Sequence, residues 1–196
     1  MRTLGALLLT AALVAPAAAA ERGEAIFAGG CFWCFEVAFK AVPGVTSVTS
    51  GYSGGKKDKP TYEEVGSGAT GHAESVRVLF DPAKVSYAQL LDVFWHNVDP
   101  LQENGQFCDE GTQYRTAIFY FDDAQRKAAE ASKRAVEARL KAKATTQIAP
   151  ASAFYAAEAY HQEFYKKNPG HYQRYREGCG RDRRLRQIWG DDAGKH

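Results

Sequence analysis

Two cysteines in one short segment have the spacing of a redox or metal-binding pair. The segment is Gly29-Gly30-Cys31-Phe32-Trp33-Cys34, between a predicted strand and a predicted helix. At a helix start, unpaired N–H groups stabilise a thiolate, and the preceding glycines allow a sharp turn that leaves the sulfur open to a substrate. A bridge between residues three apart closes so small a loop that it contributes little to stability. The pair is therefore predicted to do redox work or to hold a metal.

Three further segments carry polar side chains and precede predicted strands. Pro60-Thr61-Tyr62 lies in a glycine-rich loop, Gly71-His72-Ala73-Glu74 opens a strand, and residues 109–115 (Asp-Glu-Gly-Thr-Gln-Tyr-Arg) end a long loop. Each segment is weak evidence alone, since a carboxylate at a strand start is usually solvated and a loop tyrosine usually packs. A sheet that brings these segments to one end would place them near the first cysteine.

The predicted elements alternate along the chain. Helices are expected at 32–41, 86–97, 122–143 and 156–167, strands at 25–28, 45–52, 74–80, 116–121 and 145–148, and a basic, irregular tail from 178. The order β-α-β-β-α-β matches the split βαβ arrangement. We therefore expect an α/β (α+β) fold, a ferredoxin-like two-layer sandwich with a mixed central sheet and extra helices.

The first twenty residues differ from the rest. Arg2 is followed by an apolar run at 4–14 and by Ala18-Ala19-Ala20, the small-residue pattern that a signal peptidase prefers. The run is shorter than the roughly 20 residues of a membrane span. We expect 1–20 to be a signal peptide and 21–196 a single domain, exported to the periplasm without stable membrane association. An uncleaved N-terminal anchor is the alternative.

Composition limits the function classes. The chain has 196 residues, 45% hydrophobic and 24% charged, which is typical of a soluble globular domain and excludes disorder as its main state. The 25 Lys and Arg against 23 Asp and Glu give a net charge of +2, too balanced for a nucleic-acid partner. The length favours one domain whose core needs no disulfide scaffold, and we expect a monomer.

The ordered set of motifs resembles the peptide methionine sulfoxide reductases of the A type. It covers most of the chain from about Glu24 to Trp189. Any one motif could occur by chance, whereas the ordered set is specific. The motifs are Gly-Gly-Cys-Phe-Trp-Cys at 29–34, Pro-Gly-Val at 43–45, Gly-Tyr-Ser-Gly-Gly at 51–55, Pro-Thr-Tyr at 60–62, Gly-His-Ala-Glu at 71–74 and Gly-Thr-Gln-Tyr-Arg at 111–115.

The resemblance implies thiol-dependent reduction of the S epimer of methionine sulfoxide, free or in oxidised proteins that are thereby repaired. Cys31 matches the nucleophile that attacks the sulfoxide sulfur, and Glu74 matches the acid that protonates its oxygen. An acid active near neutral pH needs a raised pKa, which burial provides. Glu74 and Cys31 would titrate as a coupled pair, so that the thiolate forms fully once substrate binds.

Five further residues match the family's substrate-binding groups. Two donate hydrogen bonds to the sulfoxide oxygen, one orients substrate or water, and two form the wall around the substrate's methyl group. In that order they are Tyr62 and Tyr114, Asp109, and Phe32 and Trp33.

The sulfenic acid formed at Cys31 must condense with a second thiol. Cys34, one helical turn away, is the predicted partner. Many family members have glycine there and use a cysteine of the C-terminal tail, so a relay through Cys179 stays open. Cys108, where other members often have asparagine, is expected to be a buried, inert thiol.

No bound metal or organic cofactor is expected. Electrons should come from an external dithiol, a thioredoxin-like donor, which must be membrane-coupled if the protein is exported. Two alternatives use the same cysteine pair: a copper carrier with soft thiolate ligands and a thioredoxin-like disulfide exchanger. A zinc deaminase is excluded, because His72-Ala73-Glu74 is not followed by the Pro-Cys-x-x-Cys segment that such a site requires.

Overall fold

The computed structural model describes residues 22–196, and the predicted signal peptide lies outside them. The strands are β1 (Gly23–Gly29), β2 (Val45–Ser53), β3 (Ala73–Phe80), β4 (Gly105–Gln106), β5 (Asp109–Glu110), β6 (Thr116–Tyr120), β7 (Gln147–Pro150) and β8 (Tyr155–Ala156). The helices are α1 (Phe32–Lys40), α2 (Tyr62–Gly66), α3 (Tyr87–His96), α4 (Asp123–Leu140), α5 (Phe164–Lys167), α6 (Pro169–Gly178) and α7 (Arg181–Trp189).

Six strands form one sheet in the order β7-β6-β1-β3-β2-β8, and β4 pairs with β5 in a separate hairpin. β1 is antiparallel to β3 and β6, β2 is antiparallel to β3 and β8, and β7 is parallel to β6. The central order β6-β1-β3-β2 is that of a split βαβ unit. The parallel β7 makes the sheet mixed, so the predicted fold class is confirmed.

The main core lies between the sheet and the helices. In β3, alternate side chains at Val76, Val78 and Phe80 are buried, as a half-buried strand requires. The Phe27 ring of β1 stacks on Phe39 of α1, with 4.9 Å between the ring centroids. This packing holds α1 against β1, and the turn between the two elements carries Cys31.

Local sequence signals determine where two helices begin. A capping box between Ser86 and Gln89 starts α3, and the Asp122 carboxylate accepts a hydrogen bond from the Gln125 N–H at the start of α4. The predicted boundaries agree with these helices to within three residues. Within residues 22–196, no helix is both long and apolar enough to cross a bilayer.

The prediction of a helix over 156–167 is wrong. Here the chain first adds β8 to the edge of β2, then turns, and is helical only in the four residues of α5. The side chains between them hold neighbouring segments: Gln162 accepts from the Ser50 N–H at 2.9 Å, and Glu158 accepts from the Tyr52 hydroxyl at 2.8 Å. Tertiary hydrogen bonds replace helical ones in this stretch.

The tail from 178 is not irregular, because α7 occupies most of it. Arg181, Leu185 and Trp189, at i, i+4 and i+8, are buried on one face of this otherwise charged helix. The loops also contain more structure than predicted. α2 lies within 51–71 and starts with a capping box between Thr61 and Glu64, and the β4–β5 hairpin lies within 99–113.

Candidate active site

Cys31 lies at the junction of β1 and α1, as its N-cap residue. The bend depends on Gly30, whose φ of +79° is a left-handed conformation, and an added Cβ would lie 2.5 Å from the Gln106 Cβ. The Cys31 side chain is 6% exposed. Strand, turn and helix therefore hold the sulfur at a fixed position below the surface.

The sulfur lines a cavity of about 240 Å³. The exposed side chain of His171 marks where this cavity reaches solvent. Every predicted site residue except Cys34 lines it. The lining residues are Cys31, Phe32, Trp33, Tyr62, Glu74, Asp109, Tyr114, His171 and Tyr175.

Glu74 is a buried carboxyl with the properties of a general acid. It is 4% exposed, and its Oε2 accepts a hydrogen bond from the Phe32 N–H at 3.0 Å. Burial raises its pKa to about 8, and the negative charges of Asp109 and Cys34 act in the same direction, whereas the Phe32 hydrogen bond opposes the shift. The carboxyl is therefore mostly protonated at neutral pH and can donate its proton in the cavity.

The two thiols of the cysteine pair share a hydrogen bond and differ in acidity. Burial raises the pKa of Cys31 well above its ordinary value, and the neighbouring Cys34 and Glu74 raise it further. The hydrogen bond from the Cys31 thiol lowers the pKa of Cys34, and the positive charges of Arg181 and Arg176 add to this effect. At Cys31, burial therefore outweighs the stabilisation that the helix start gives to a thiolate.

Two tyrosine hydroxyls stay protonated beside the thiol. Burial raises the pKa of Tyr62 to about 12, and it raises that of Tyr114 as well. The backbone N–H of Tyr62 donates to the Glu158 carboxylate at 2.9 Å, which fixes the first turn of α2. Both hydroxyls can donate hydrogen bonds to a polar oxygen in the cavity.

An aromatic wall completes one side of the cavity. The Trp33 ring stacks on Phe164, with 3.7 Å between the centroids, and its Nε1 donates to His161 Nδ1 at 3.0 Å. His161 is itself 2% exposed and packs against Phe32 and Tyr62. This positioning histidine was not predicted from the sequence, since it lies in the segment wrongly predicted to be helical.

Helix α6 supplies two cavity residues that the sequence analysis also missed. The Tyr175 hydroxyl donates its hydrogen bond to Asp109 Oδ2 and lies beside the Cys31 sulfur, and His171 lies one turn before it. Two signals could have revealed this helix: Pro169 at its first position, and aromatic side chains at the helical spacing of 172 and 175.

The other two cysteines form a disulfide. Cys108, in the β4–β5 turn, is joined to Cys179, the C-cap residue of α6, with 4.9 Å between the Cα atoms. Cys108 is exposed, so the prediction of a buried, inert thiol is wrong. Among residues 22–196, the free cysteines are Cys31 and Cys34.

A buried thiol, a protonated carboxyl and tyrosine hydroxyls in one cavity of a ferredoxin-like domain define a thiol-dependent oxidoreductase. Residues 23–193 match the family model for peptide methionine sulfoxide reductase, and the chain belongs to this family. It is an enzyme that reduces methionine sulfoxide, as the sequence resemblance implies. This assignment sets aside the copper-carrier and disulfide-exchanger alternatives.

Individual relatives support the same assignment. Peptide methionine sulfoxide reductase MsrA 2 of Rhizobium meliloti (strain 1021) is 50% identical over 193 residues, which are 98% of this chain and 96% of the relative. The reduced form of Mxr1 from Saccharomyces cerevisiae superposes with a TM-score of 0.74 at 32% identity, covering 77% of this chain and 88% of Mxr1. Mxr1 in complex with Trx2 shares the fold, with a TM-score of 0.53 at 22% identity over 74% of this chain and 86% of that chain.

Proposed function

We propose that this enzyme reduces the S epimer of methionine sulfoxide, free or in oxidised proteins, by attack of the Cys31 sulfur on the sulfoxide sulfur. The observation that carries the proposal is the shared cavity, in which Cys31, Glu74 and the two tyrosine hydroxyls meet. A sulfoxide oxygen leaves its sulfur only when the charge that develops on it is neutralised. A positioned acid and hydroxyl donors meet that requirement.

In the first step, the Cys31 sulfur attacks the sulfoxide sulfur while Glu74 gives its proton to the oxygen. The oxygen is transferred to Cys31 as a sulfenic acid, and methionine leaves. The substrate sulfur gains two electrons and the Cys31 sulfur loses them, and the thiol proton replaces the one that Glu74 gave. Tyr62 and Tyr114 hold the oxygen, Asp109 orients substrate or water, and the aromatic wall contacts the methyl group.

The stereochemistry is tested with resolved epimers of N-acetylmethionine sulfoxide and a dithiol reductant. We expect the S epimer to be consumed completely and the R epimer to remain, as the resemblance to the A-type reductases implies. Chromatography on a chiral column measures both epimers. Equal consumption of the two would contradict this proposal.

Cys31 cannot react with another substrate molecule while it is a sulfenic acid. In the second step, another thiol therefore condenses with the sulfenic acid. Cys34 is the proposed resolving thiol, because it hydrogen-bonds to Cys31 and its pKa is lowered. The Cys34 sulfur attacks the Cys31 sulfur, the S–O bond of the sulfenic acid breaks, and water leaves. The Cys31–Cys34 disulfide that results is then reduced by the external dithiol.

Replacing Cys34 separates the two steps. The Cys34→Ser variant is expected to release one methionine per enzyme in a first turnover and then to stop with thioredoxin as reductant, since no disulfide can form with Cys31. Quench-flow measurement of methionine gives the burst and the steady rate. The matched control removes the other two cysteines, as Cys108→Ser with Cys179→Ser, and should keep cycling. Unimpaired cycling of Cys34→Ser would shift the resolving role to Cys179.

The remaining proposals concern the surroundings of the enzyme. We propose a signal peptide at 1–20, export to the periplasm as a monomer, and no bound metal or organic cofactor. The exposed Cys108–Cys179 disulfide supports an oxidising compartment. The complex of yeast Mxr1 with Trx2 supports a thioredoxin-like donor, which an exported enzyme would meet on a membrane-coupled carrier. Sequencing the mature N-terminus from a periplasmic fraction tests the cleavage after Ala20.

A further inference from the structure

The two cysteines of the pair differ in their access to the cavity. Cys31 lines it, whereas Cys34 does not and is 2% exposed. Helix α6 lies over Cys34: the Tyr172 hydroxyl hydrogen-bonds to its sulfur, and Arg176 donates to that hydroxyl at 3.1 Å. A thiolate that enters through the cavity therefore meets the Cys31 sulfur first.

Arg181 is a buried positive charge near Cys34, and its guanidinium lies 6.0 Å from the ring centre of the adjacent Phe35. It is 2% exposed, and its Nη2 donates to the carbonyl oxygens of Asn97 at 2.8 Å and Gly29 at 3.3 Å. Its guanidinium lies 4.4 Å from the centre of the Phe107 ring. A buried charge without a counter-ion is costly, yet within residues 22–196 this one forms no salt bridge. Its positive charge acts to lower the pKa of Cys34, Asp109 and Tyr172.

We propose that the donor thiolate attacks the Cys31 sulfur of the Cys31–Cys34 disulfide, and that Cys34 leaves as a thiolate stabilised by the positioning residue Arg181. This inference rests on the proposed function, in which these two cysteines form the disulfide. The arrangement gives each sulfur a separate role, with Cys31 as the electrophile in the open cavity and Cys34 as the enclosed leaving group. A thiol of lower pKa leaves faster, which agrees with the direction found for Cys34.

The electrons and bonds balance in two exchanges. In the first, a bond forms between the donor sulfur and Cys31, the Cys31–Cys34 bond breaks, and its electron pair goes to Cys34. In the second, the other thiol of the donor attacks the donor sulfur, and Cys31 leaves and takes the proton that this thiol gives up. The donor becomes a disulfide, and the enzyme returns to its dithiol form after Cys34 is protonated.

Because donor and substrate use the same cavity, they exclude each other. The enzyme should follow double-displacement kinetics in which a high concentration of methionine sulfoxide competes with the donor. An occupant of the cavity, such as N-acetylmethionine, should slow formation of the mixed disulfide in a competitive manner.

Trapping the mixed disulfide tests which sulfur is attacked. The full-length protein is oxidised with one equivalent of substrate, mixed with a thioredoxin that lacks its second active-site cysteine, alkylated, digested and mapped by mass spectrometry. We expect thioredoxin on Cys31 and the alkyl group on Cys34. Thioredoxin on Cys34 would overturn the inference and leave the proposed function intact. Oxidised enzyme without a Cys31–Cys34 disulfide before thioredoxin is added would instead refute the proposed function.

Substitution of Arg181 tests the leaving group and does not depend on trapping. Arg181→Gln should slow reduction of the enzyme disulfide by thioredoxin about tenfold, more than it slows the methionine burst. It should also move alkylation of Cys34 in the reduced enzyme to higher pH. Arg181→Lys should recover part of the reduction rate and part of the shift in alkylation pH. Arg183→Gln, which removes an exposed charge on the same helix, should change neither quantity. Equal slowing of both steps, with an unchanged pH dependence of alkylation, would reduce Arg181 to a structural role.

Discussion

Replacement of Cys31 by serine is expected to lower methionine sulfoxide reduction to the uncatalysed background. The serine hydroxyl is a far weaker nucleophile than sulfur and cannot become a sulfenic acid. The change removes one polarisable atom at the N-cap of α1 and keeps the size of the side chain nearly the same, so the fold should be preserved. Methionine released in a single turnover with excess enzyme is the measurement, because it does not depend on recycling.

The matched control for this variant is Cys34→Ser, which carries the same substitution three residues along. It should release one methionine per enzyme, whereas Cys31→Ser should release none. Identical circular dichroism spectra of the two variants would show that the loss of methionine release in Cys31→Ser is not caused by misfolding. Methionine release by Cys31→Ser at the wild-type rate would refute the nucleophile assignment.

Replacement of Glu74 by glutamine should slow the first turnover by about 10²–10⁴, the contribution of a positioned acid. The amide can still accept the hydrogen bond from Phe32 but cannot protonate the sulfoxide oxygen. A rapid-quench measurement of methionine release gives the rate. Glu110→Gln, which changes an exposed carboxylate of β5, is the control and should leave the rate unchanged. A Glu74→Gln rate within a factor of two of wild type would contradict the assignment.

The pH dependence gives an independent test of Glu74. The protonated carboxyl is the active form, so the rate should be highest below the pKa of about 8 and fall as the pH rises through it. Ionisation of Cys31 should not mask this fall, because burial holds its pKa well above the ordinary value. This fall in rate should be absent in Glu74→Gln. The loss of rate caused by the substitution should shrink at low pH only if another acid protonates the sulfoxide oxygen in place of Glu74.

The central elements could be predicted because each carries its own local signal. β3 alternates buried and half-buried side chains over 76–80, Ser86 caps α3, and Gly30 follows β1 at the cysteine pair. The motifs that precede strands converge because the central strand order places them at one end of the sheet. The candidate site was thus accessible from sequence wherever a motif lay beside a regular element.

The rest depends on contacts that no local pattern encodes. The segment around Glu158 and Gln162 has helical composition, but its side chains bind β2 and α2 across the chain. In α7, five of the nine residues are charged and only three positions are buried, so the amphipathic pattern is weak in the sequence. One of the three buried positions is Arg181. Its role as a buried charge near Cys34 follows from packing, which the sequence does not show.

The acidity of the thiols and the disulfide pairing were also beyond the sequence. A helix start can be read locally, whereas the burial that outweighs it at Cys31 belongs to the assembled cavity. Connectivity among four cysteines cannot be deduced from their spacing, since three pairings exist. Cys108 meets Cys179 only because the β4–β5 hairpin reaches the end of α6.

Beside the crosslink at the end of α6, the proposed Cys31–Cys34 bond would give the oxidised enzyme a second disulfide of opposite purpose. One spans three positions and must open in every catalytic cycle; the other spans 71 and holds Asp109 beside Tyr175. In the chain-entropy account, closing so long a loop stabilises the fold by roughly 4 kcal/mol. A donor strong enough to open both would recycle the enzyme while loosening the wall of its own binding cavity. The recycling partner must therefore discriminate between the two disulfides by the geometry with which it binds near each of them, and not by its reduction potential alone.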